Sequence, residues 1–397
     1  MRIAPTQPAA PHSTSDDRLA AAAPFLTPGI VRSPGLLAHE DGTVQAGAMG
    51  GAPVAVTGDL VFTTAATGWG EILTDPSYAG QIVVLTHPMA GNYRIAAEDL
   101  ESSRVHARGL VVTRLVEPPA GPGISLEELL LEAGVPVITG IDTRALTLAL
   151  RRGASRRAAL TPGSGLIDTE RAVRRAEEAP AWESVDFVAA VATRQPFHLA
   201  PDGHRRARAV LVDYGVKRSL LRALTGRGME VIGLPPDATA ETILGSAPDL
   251  VVLSPGPGDP ARMGRQIATV RRLAAAATAG GPPILGICLG HQLLALAAGA
   301  RTRRLAVGHH GGNHAVRDLI TGRVDIGAHN HEVEVIDGPG LVAAGYRVSH
   351  RDLNDGTVEG LVHASGRIAS VQFHPEGAPG PIDAARVFDI AVDGAAS

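Results

Sequence analysis

Short apolar runs separated by polar turns dominate the chain from residue 34 to residue 160. The runs that predict strands are 59–64, 81–86, 109–113 and 135–138. Helices are predicted at two places. Ser125 stands three positions before Glu128 in the pattern of a capping box, which indicates a helix over 125–133. Asp142 or Thr143 can cap a second helix over 144–152. This pattern predicts a strand-rich α+β domain.

From residue 207 the pattern changes to an alternation of apolar strands with helices. The strands are predicted at 209–213, 229–234 and 249–253, and the helices at 217–227 and 263–279. Such alternation indicates an α/β fold with a doubly wound, largely parallel sheet. Ligands of such sheets bind beyond the carboxyl ends of the strands. Ser254, Cys288 and His374 all follow predicted strands at that edge.

Two stretches show neither a strand-like nor a helix-like pattern of apolar residues. Residues 1–33 are rich in Ala, Pro, Ser and Thr, and they lack the basic start and long apolar run of a signal peptide. They are predicted to be a disordered tail. Residues 161–206 are predicted to be a connector with one short helix near 169–178. The expected organisation is therefore a first domain over 34–160 and a second over 207–397.

Composition narrows the class of protein. Of the 397 residues, 45% are hydrophobic and 19% are charged, which is typical of a globular chain with two or three domains. The net charge of −4 gives no general attraction to nucleic acid or to anionic lipid. No apolar stretch approaches the roughly 20 residues that cross a bilayer. We expect a cytoplasmic protein that binds neither nucleic acid nor membrane, and the single cysteine excludes an internal disulfide.

That cysteine, Cys288, lies in Gly286-Ile287-Cys288-Leu289-Gly290, between an apolar strand and an Ala/Leu-rich helix. Flanking glycines let the backbone make the sharp strand-to-helix turn that exposes a nucleophile. A helix N-terminus also favours the reactive thiolate. His374 and Glu376 follow a second apolar strand, where His374 can act as base and Glu376 can orient it. The other interpretation, a buried thiol serving as a small hydrophobe, does not explain the glycines or the His-x-Glu segment.

Several other residues invite simpler interpretations. The histidine-rich segments contain His309, His310, His314, His329 and His331. They show no i, i+4 helical pair and no Cys, Asp or Glu ligand at metal spacing, so no metal site is predicted. Lys217, the only lysine, is interpreted as a structural position without chemistry.

The motifs are specific enough for a family resemblance. The second domain resembles class I glutamine amidotransferases of the triad type. The whole chain from about 34 to 394 resembles the small, glutamine-hydrolysing subunit of carbamoyl-phosphate synthase. The segments that carry the resemblance are 71–78, 101–107, 140–144, 253–260, 286–296 and 308–314. Other class I amidotransferases lack the first domain, so the matches before residue 145 are the most informative.

The resemblance implies a reaction and a set of residues. Cys288 would attack the side-chain amide of L-glutamine, and His374 and Glu376 would complete the triad. The backbone N–H groups of Leu289 and Gly258 would form the oxyanion hole. The glutamine-binding set would be Gly256, Gly258, Leu289, Gln292, Asn330, Glu332, Val333 and Ala65. Ammonia would pass to a large subunit that makes carbamoyl phosphate from bicarbonate with ATP and Mg²⁺. The chain itself has no phosphate-binding loop, and no cofactor is expected on it.

The chain departs from the family pattern where glutamine would bind. Ala65 replaces a serine that usually contacts the substrate, which removes a hydrogen bond worth about 1 kcal/mol. His329-Asn330-His331-Glu332-Val333 stands where Gln-Asn-His-Gly-Phe is usual. Glutamate tolerates positive φ poorly, and its charge would repel the substrate carboxylate unless it points away. Two alternatives follow: a non-catalytic or weakly active paralogue acting as a scaffold or regulator, and a glutaminase that serves a different synthase.

Overall fold

The computed structural model describes residues 32–396. Most of the predicted tail over 1–33 lies outside the described residues. Its last two positions are described: Arg32 forms an ion pair with Glu127, and Ser33 begins the first strand.

The first domain is a closed barrel of seven strands in the order β1-β2-β8-β6-β4-β3-β9. The strands of this domain are β1 (Ser33–His39), β2 (Val44–Gly51), β3 (Val56–Thr63), β4 (Gln81–Leu85), β5 (Met89–Ala90), β6 (Gly109–Val112), β7 (Arg114–Leu115), β8 (Pro136–Thr139) and β9 (Arg157–Pro162). Short β5 and β7 pair outside the barrel. Closure removes the exposed edges that an open sheet would leave. The predicted runs become β3, β4, β6 and β8, whereas the pairing of β1 with β9 was not foreseen.

Three helices accompany the barrel: α1 (Trp69–Thr74), α2 (Leu126–Glu132) and α3 (Thr143–Arg151). The predicted capping box of α2 is present, because Ser125 accepts from the Glu128 N–H and the Glu128 carboxylate accepts from the Ser125 N–H. Asp142 caps α3 by accepting from the Ala145 N–H.

The region between the domains is more ordered than a simple connector. It contains α4 (Leu166–Glu177), α5 (Phe187–Val191) and β10 (Phe197–Leu199). The predicted helix near 169–178 corresponds to α4, but α5 and β10 were missed. β10 pairs antiparallel with a strand of the second domain, so this region extends the main sheet.

The second domain is built on a ten-stranded sheet in the order β10-β12-β11-β13-β14-β19-β18-β16-β15-β17. Its other strands are β11 (Ala207–Val212), β12 (Met229–Leu234), β13 (Leu250–Leu253), β14 (Ile284–Ile287), β15 (Arg301–Asp318), β16 (Val324–Ile336), β17 (Tyr346–Asp352), β18 (Val358–His363) and β19 (Ile368–Val371). Five of them, β12, β11, β13, β14 and β19, run parallel. The α/β fold with a parallel core is confirmed.

Helices cover both faces of this sheet, and the apolar core lies beneath them. They are α6 (Arg218–Thr225), α7 (Ala240–Gly245), α8 (Gly264–Thr278), α9 (Leu289–Ala297), α10 (Pro339–Ala343) and α11 (Arg386–Ala396). The antiparallel arm formed by β15 and β16 packs against the barrel and contributes residues to the cavity described below. None of the helices in residues 32–396 is long and apolar enough to span a bilayer.

Candidate active site

The nucleophile candidate sits in a strained turn. Cys288 links β14 to α9 with φ 52° and ψ −104°, a conformation that L-residues adopt only where the surroundings enforce it. A side chain on Gly290 would overlap the Leu253 carbonyl oxygen, and one on Gly286 would meet Leu294. The glycines therefore serve close packing of α9 against the sheet. The Cys288 side chain is almost fully buried, and its Sγ lies 3.9 Å from the Asn330 carbonyl oxygen.

His374 and Glu376 form the predicted acid–base pair. His374 Nδ1 lies 2.7 Å from Glu376 Oε1, and both side chains are buried. The opposite ring nitrogen, Nε2, is buried and has no conventional hydrogen-bond partner in the described chain. That leaves Nε2 free to exchange a proton with the neighbouring Cys288 thiol. The geometry matches the division of roles in a nucleophile–base–acid triad.

Lys217 is a fourth residue in contact with the Cys288, His374 and Glu376 group. Its Nζ lies 3.2 Å from Glu376 Oε1 and donates to the carbonyl oxygens of Gly377 and Ala378 at 2.9 and 3.0 Å. The sequence analysis assigned this lysine no chemistry. No signal near Lys217 in the sequence could have revealed the contact, because its partners lie on a distant segment after β19.

Electrostatics favour an ionised pair at the base. Burial alone would lower the pKa of His374, but the Glu376 carboxylate raises it to about 10, with a further contribution from Cys288. Burial raises the pKa of Glu376, but Lys217 and His374 outweigh burial and lower it to about 2. Near neutral pH the arrangement therefore favours an imidazolium between a carboxylate and the thiol, which is the partner a thiolate needs.

The two residues predicted to supply the oxyanion hole through their backbone N–H groups are Leu289 and Gly258. Leu289 is the first residue of α9, so its N–H has no acceptor within the helix. Gly258 has φ 99°, a conformation that favours glycine, and lines the same cavity as Cys288. A side chain on Gly256 would overlap the Tyr214 carbonyl oxygen. These glycines allow the 254–258 loop to approach the thiol closely.

Most of the predicted glutamine-binding residues come together around one small cavity. It is lined by Cys288, Gly256, Gly258, Gln292, Asn330, Glu332 and Val333. Buried Leu289 and half-buried Ala65 do not line it. The cavity measures about 20 Å³, room for about one water molecule. Its wall at Pro257 and Gly258 is shared with an open cleft of about 570 Å³. The space beside Cys288 is therefore smaller than an amino acid.

Gln292 and Asn330 are held by hydrogen bonds within the chain. Gln292 Nε2 donates to the Val333 carbonyl oxygen at 2.8 Å and to Gln372 Oε1 at 3.1 Å. Asn330 Nδ2 donates to Asp75 Oδ2 at 2.9 Å, which connects this strand to the first domain. Both residues are fixed before any ligand arrives.

Glu332 does not have the strained backbone that its replacement of a glycine suggested. It lies within β16 and is absent from the positive-φ residues of the described chain. Its carboxylate forms ion pairs with Arg156 and Arg304, and His310 Nε2 lies 2.7 Å from Oε1. Burial raises the pKa of Glu332, but His310 and the two arginines lower it to about 2. The carboxylate is thus ionised, buried and neutralised by cations from both domains.

Two lining residues from the first domain were missed. Ser77 and Gln81 border the cavity, and Ser77 Oγ and Gln81 Oε1 are buried without hydrogen-bond partners among the described residues. Unpartnered buried polar atoms beside a cavity are available to a ligand. Ser77 belongs to the 71–78 segment that carried the family resemblance, which was the available signal.

The site and fold together define a class I glutamine amidotransferase. The family model for "Glutamine amidotransferase class-I" matches residues 210–393. The family model for "Carbamoyl-phosphate synthase small chain, CPSase domain" matches residues 37–160. With these two domains in this order, and with the relatives below, the chain belongs to the carbamoyl phosphate synthase small chain family. The resemblance seen in the sequence is confirmed.

Similar proteins extend over nearly the whole chain. The "Carbamoyl phosphate synthase small chain" of Archaeoglobus fulgidus is 44% identical over 359 residues, which are 90% of this chain and 97% of that protein. The protein of the same name from Methanopyrus kandleri is 44% identical, covering 89% and 96%. The "Carbamoyl phosphate synthase pyrimidine-specific small chain" of Halalkalibacterium halodurans is 42% identical, covering 88% and 94%.

Proposed function

We propose that this chain is the glutaminase subunit of a glutamine-dependent carbamoyl phosphate synthase. The observation that carries the proposal is the contact of His374 with Glu376 beside Cys288, whose side chain borders a cavity lined by both domains. Cys288 attacks the side-chain amide carbon of L-glutamine, and backbone N–H groups of Leu289 and Gly258 stabilise the oxyanion. His374 protonates the departing ammonia, and water then hydrolyses the thioester to glutamate.

The partner in this proposal is a large synthetase subunit. It would receive the ammonia and consume bicarbonate and ATP with Mg²⁺, and its product would supply arginine and pyrimidine synthesis. The ion pairs of Glu332 with its arginines and of Lys217 with Glu376 lie within this chain. The proposed hydrolysis uses these side chains and needs no cofactor on this chain. We place the complex in the cytoplasm.

A second function is favoured by one specific observation. The cavity holds about one water molecule, and the Glu332 carboxylate lies on its wall. A weakly active or non-catalytic subunit that binds the large subunit as a scaffold would tolerate such a small pocket. This alternative predicts complex formation without glutamine hydrolysis.

Reconstitution with a cognate large subunit separates the two functions. The glutaminase proposal predicts carbamoyl phosphate synthesis from glutamine that Cys288→Ala abolishes, while synthesis from ammonium salts by the same complex persists. Glu334→Gln, which removes a carboxylate outside the cavity, is the control for a substitution that spares the site. Ammonia-dependent synthesis in both complexes, with no glutamine-dependent synthesis by the unaltered chain, would favour the scaffold.

A further inference from the structure

A second cluster of titratable side chains lies beside the cavity, on β16 and the strands next to it. Asn330, His331 and Glu332 all border the cavity, and the His331 imidazole is directed at Glu359. His309 on β15 pairs with His331 across the two strands. The mechanism uses neither of these two histidines.

Glu359 from β18 completes the cluster. Its carboxylate lies 2.9 Å from His329 Nε2, 3.7 Å from His331 Nε2 and 3.8 Å from His309 Nδ1. The four candidate ligand atoms lie within 4.8 Å of one another, and all four residues are buried. No metal site is predicted from the sequence, because the histidines show no i, i+4 helical pair and no Cys, Asp or Glu at metal spacing. The carboxylate comes instead from a different strand.

In each histidine, the ring nitrogen that points away from the cluster has a hydrogen-bond partner, and this contact orients the other nitrogen toward the cluster. His331 Nδ1 lies 3.0 Å from the Val333 carbonyl oxygen and His329 Nδ1 lies 3.3 Å from that of Gly327. A carbonyl oxygen can only accept, so Nδ1 of each ring donates, and Nε2 of each ring is the nitrogen directed at Glu359. His309 Nε2 lies 2.8 Å from Asp355 Oδ2, which leaves Nδ1 toward the cluster.

Two of these ligand atoms are otherwise orphaned. His331 Nε2 and His309 Nδ1 are buried and have no hydrogen-bond partner among the described residues. A buried polar atom without a partner costs free energy, and the Glu359 carboxylate leaves a ring nitrogen of His309 and of His331 without a hydrogen bond. A cation at the centre would satisfy both of them.

We propose that His309, His329, His331 and Glu359 form a structural site for a divalent transition metal, with Zn²⁺ as the best match. Three imidazoles and one carboxylate suit a tetrahedral Zn²⁺ with four protein ligands, and they do not suit Mg²⁺ or Ca²⁺, which prefer oxygen. Small side-chain movements would bring the ligand atoms to the roughly 2.0–2.2 Å at which Zn²⁺ binds nitrogen and oxygen.

The metal ion would link the strands of the arm that forms one wall of the cavity. Its ligands come from β15, β16 and β18, so one ion would cross-link three antiparallel strands beside Asn330 and Glu332. An open groove is bordered by Asp355 and Thr357, which neighbour the cluster. Asp355 contacts His309, and the Thr357 hydroxyl donates to Glu359 Oε1 at 3.3 Å.

A neighbouring group competes for the same ion. His309, His314, His329 and Asp352 also lie within ligand distance of one another. His314 Nδ1 is already 3.0 Å from Asp352 Oδ2, and His314 is less buried than the other ligands. The group with Glu359 is favoured because all four of its members are buried and two of them have free ligand atoms.

The test uses the full-length chain without an affinity tag, freed of metal with a chelator and titrated with Zn²⁺ by calorimetry, with metal content measured after desalting. We expect one Zn²⁺ per chain. His329→Gln and Glu359→Gln should weaken binding more than about 100-fold, beyond the loss expected for an outer-shell partner. His363→Gln, a histidine outside the cluster, and Cys288→Ala, which removes the thiol, should each retain one Zn²⁺.

A second measurement does not depend on the variants folding. At free Zn²⁺ of 100 times Kd, the unfolding constant of the unaltered chain should fall about 100-fold. Absence of stoichiometric Zn²⁺ binding by the unaltered chain would overturn the proposal. So would equal binding by folded Glu359→Gln, or loss of the ion in Asp352→Asn with retention in Glu359→Gln. Neither readout depends on glutaminase activity, so the proposed function is tested separately.

Discussion

Lys217 Nζ lies 3.2 Å from Glu376 Oε1, and both side chains are almost fully buried. Glu376 therefore bridges two cationic partners, the lysine and the His374 imidazole. The lysine also holds the backbone after the second triad segment through the Gly377 and Ala378 carbonyl oxygens. Lys217 is a positioning residue: it holds the Glu376 carboxylate, which in turn orients the His374 imidazole.

Replacing this lysine tests that role. Lys217→Met should lower kcat for glutamine hydrolysis about 10- to 100-fold, because Glu376 loses a partner that keeps it ionised and in place. Since Lys217 lowers the pKa of Glu376, its removal raises that pKa and moves the acid limb of the kcat–pH profile to higher pH. A merely structural lysine would lower stability without moving that limb.

The pH dependence of stability should reflect the titration of His374. Its pKa is raised to about 10 in the folded chain, above the unfolded value of about 6.5. The stability that its charge contributes is therefore complete below about pH 6.5 and is lost as pH rises through about 10. Urea unfolding should show His374→Gln less stable than the unaltered chain at pH 6, with the difference shrinking toward pH 10. A constant difference across that range would contradict the assignment.

Glu332 should set the affinity for glutamine. Glu332→Gly removes a carboxylate from the cavity wall and releases Arg156, Arg304 and His310 to face the substrate carboxylate. We expect KM for glutamine to fall about tenfold, which corresponds to about 1.4 kcal/mol. Stability should fall at the same time, because the cations lose their partner.

The matched control for Glu332 lies on the same strand. Glu334→Gln also removes a carboxylate paired with an arginine, Arg303, but it lies outside the cavity. It should leave KM unchanged. An unchanged KM in Glu332→Gly as well would show that the glutamate does not restrict binding.

Close packing behind the nucleophile gives a steric prediction. Gly290→Ala would place a methyl group against the Leu253 carbonyl oxygen, so it should destabilise the chain by about 1–3 kcal/mol and displace Cys288. Gly264→Ala at the start of α8 meets no atom within 4 Å and should be neutral. Thermal unfolding and glutaminase rates measured on both variants check this, and equal behaviour of the two would refute it.

Local sequence patterns were sufficient to locate the candidate catalytic residues and insufficient to predict what surrounds them. Cys288 and the His374–Glu376 segment each sit at a strand end that periodicity identifies. Lys217 and Glu359 escaped notice because their partners come from strands remote in sequence, and only the sheet order brings them together. Barrel closure by β1 and β9 was missed for the same reason. The position of Glu332 could not be predicted either, since its arginine partners come from two domains.

The most direct test of the central claim is to trap the covalent intermediate. The chain, with a cognate large subunit, is mixed with glutamine, quenched in acid and analysed by intact-protein and peptide mass spectrometry. A working glutaminase should show a glutamyl thioester on the Cys288 peptide that is absent in Cys288→Ala, together with cysteine-dependent glutamate release. Glutamate release at an unchanged rate by Cys288→Ala would contradict the central claim.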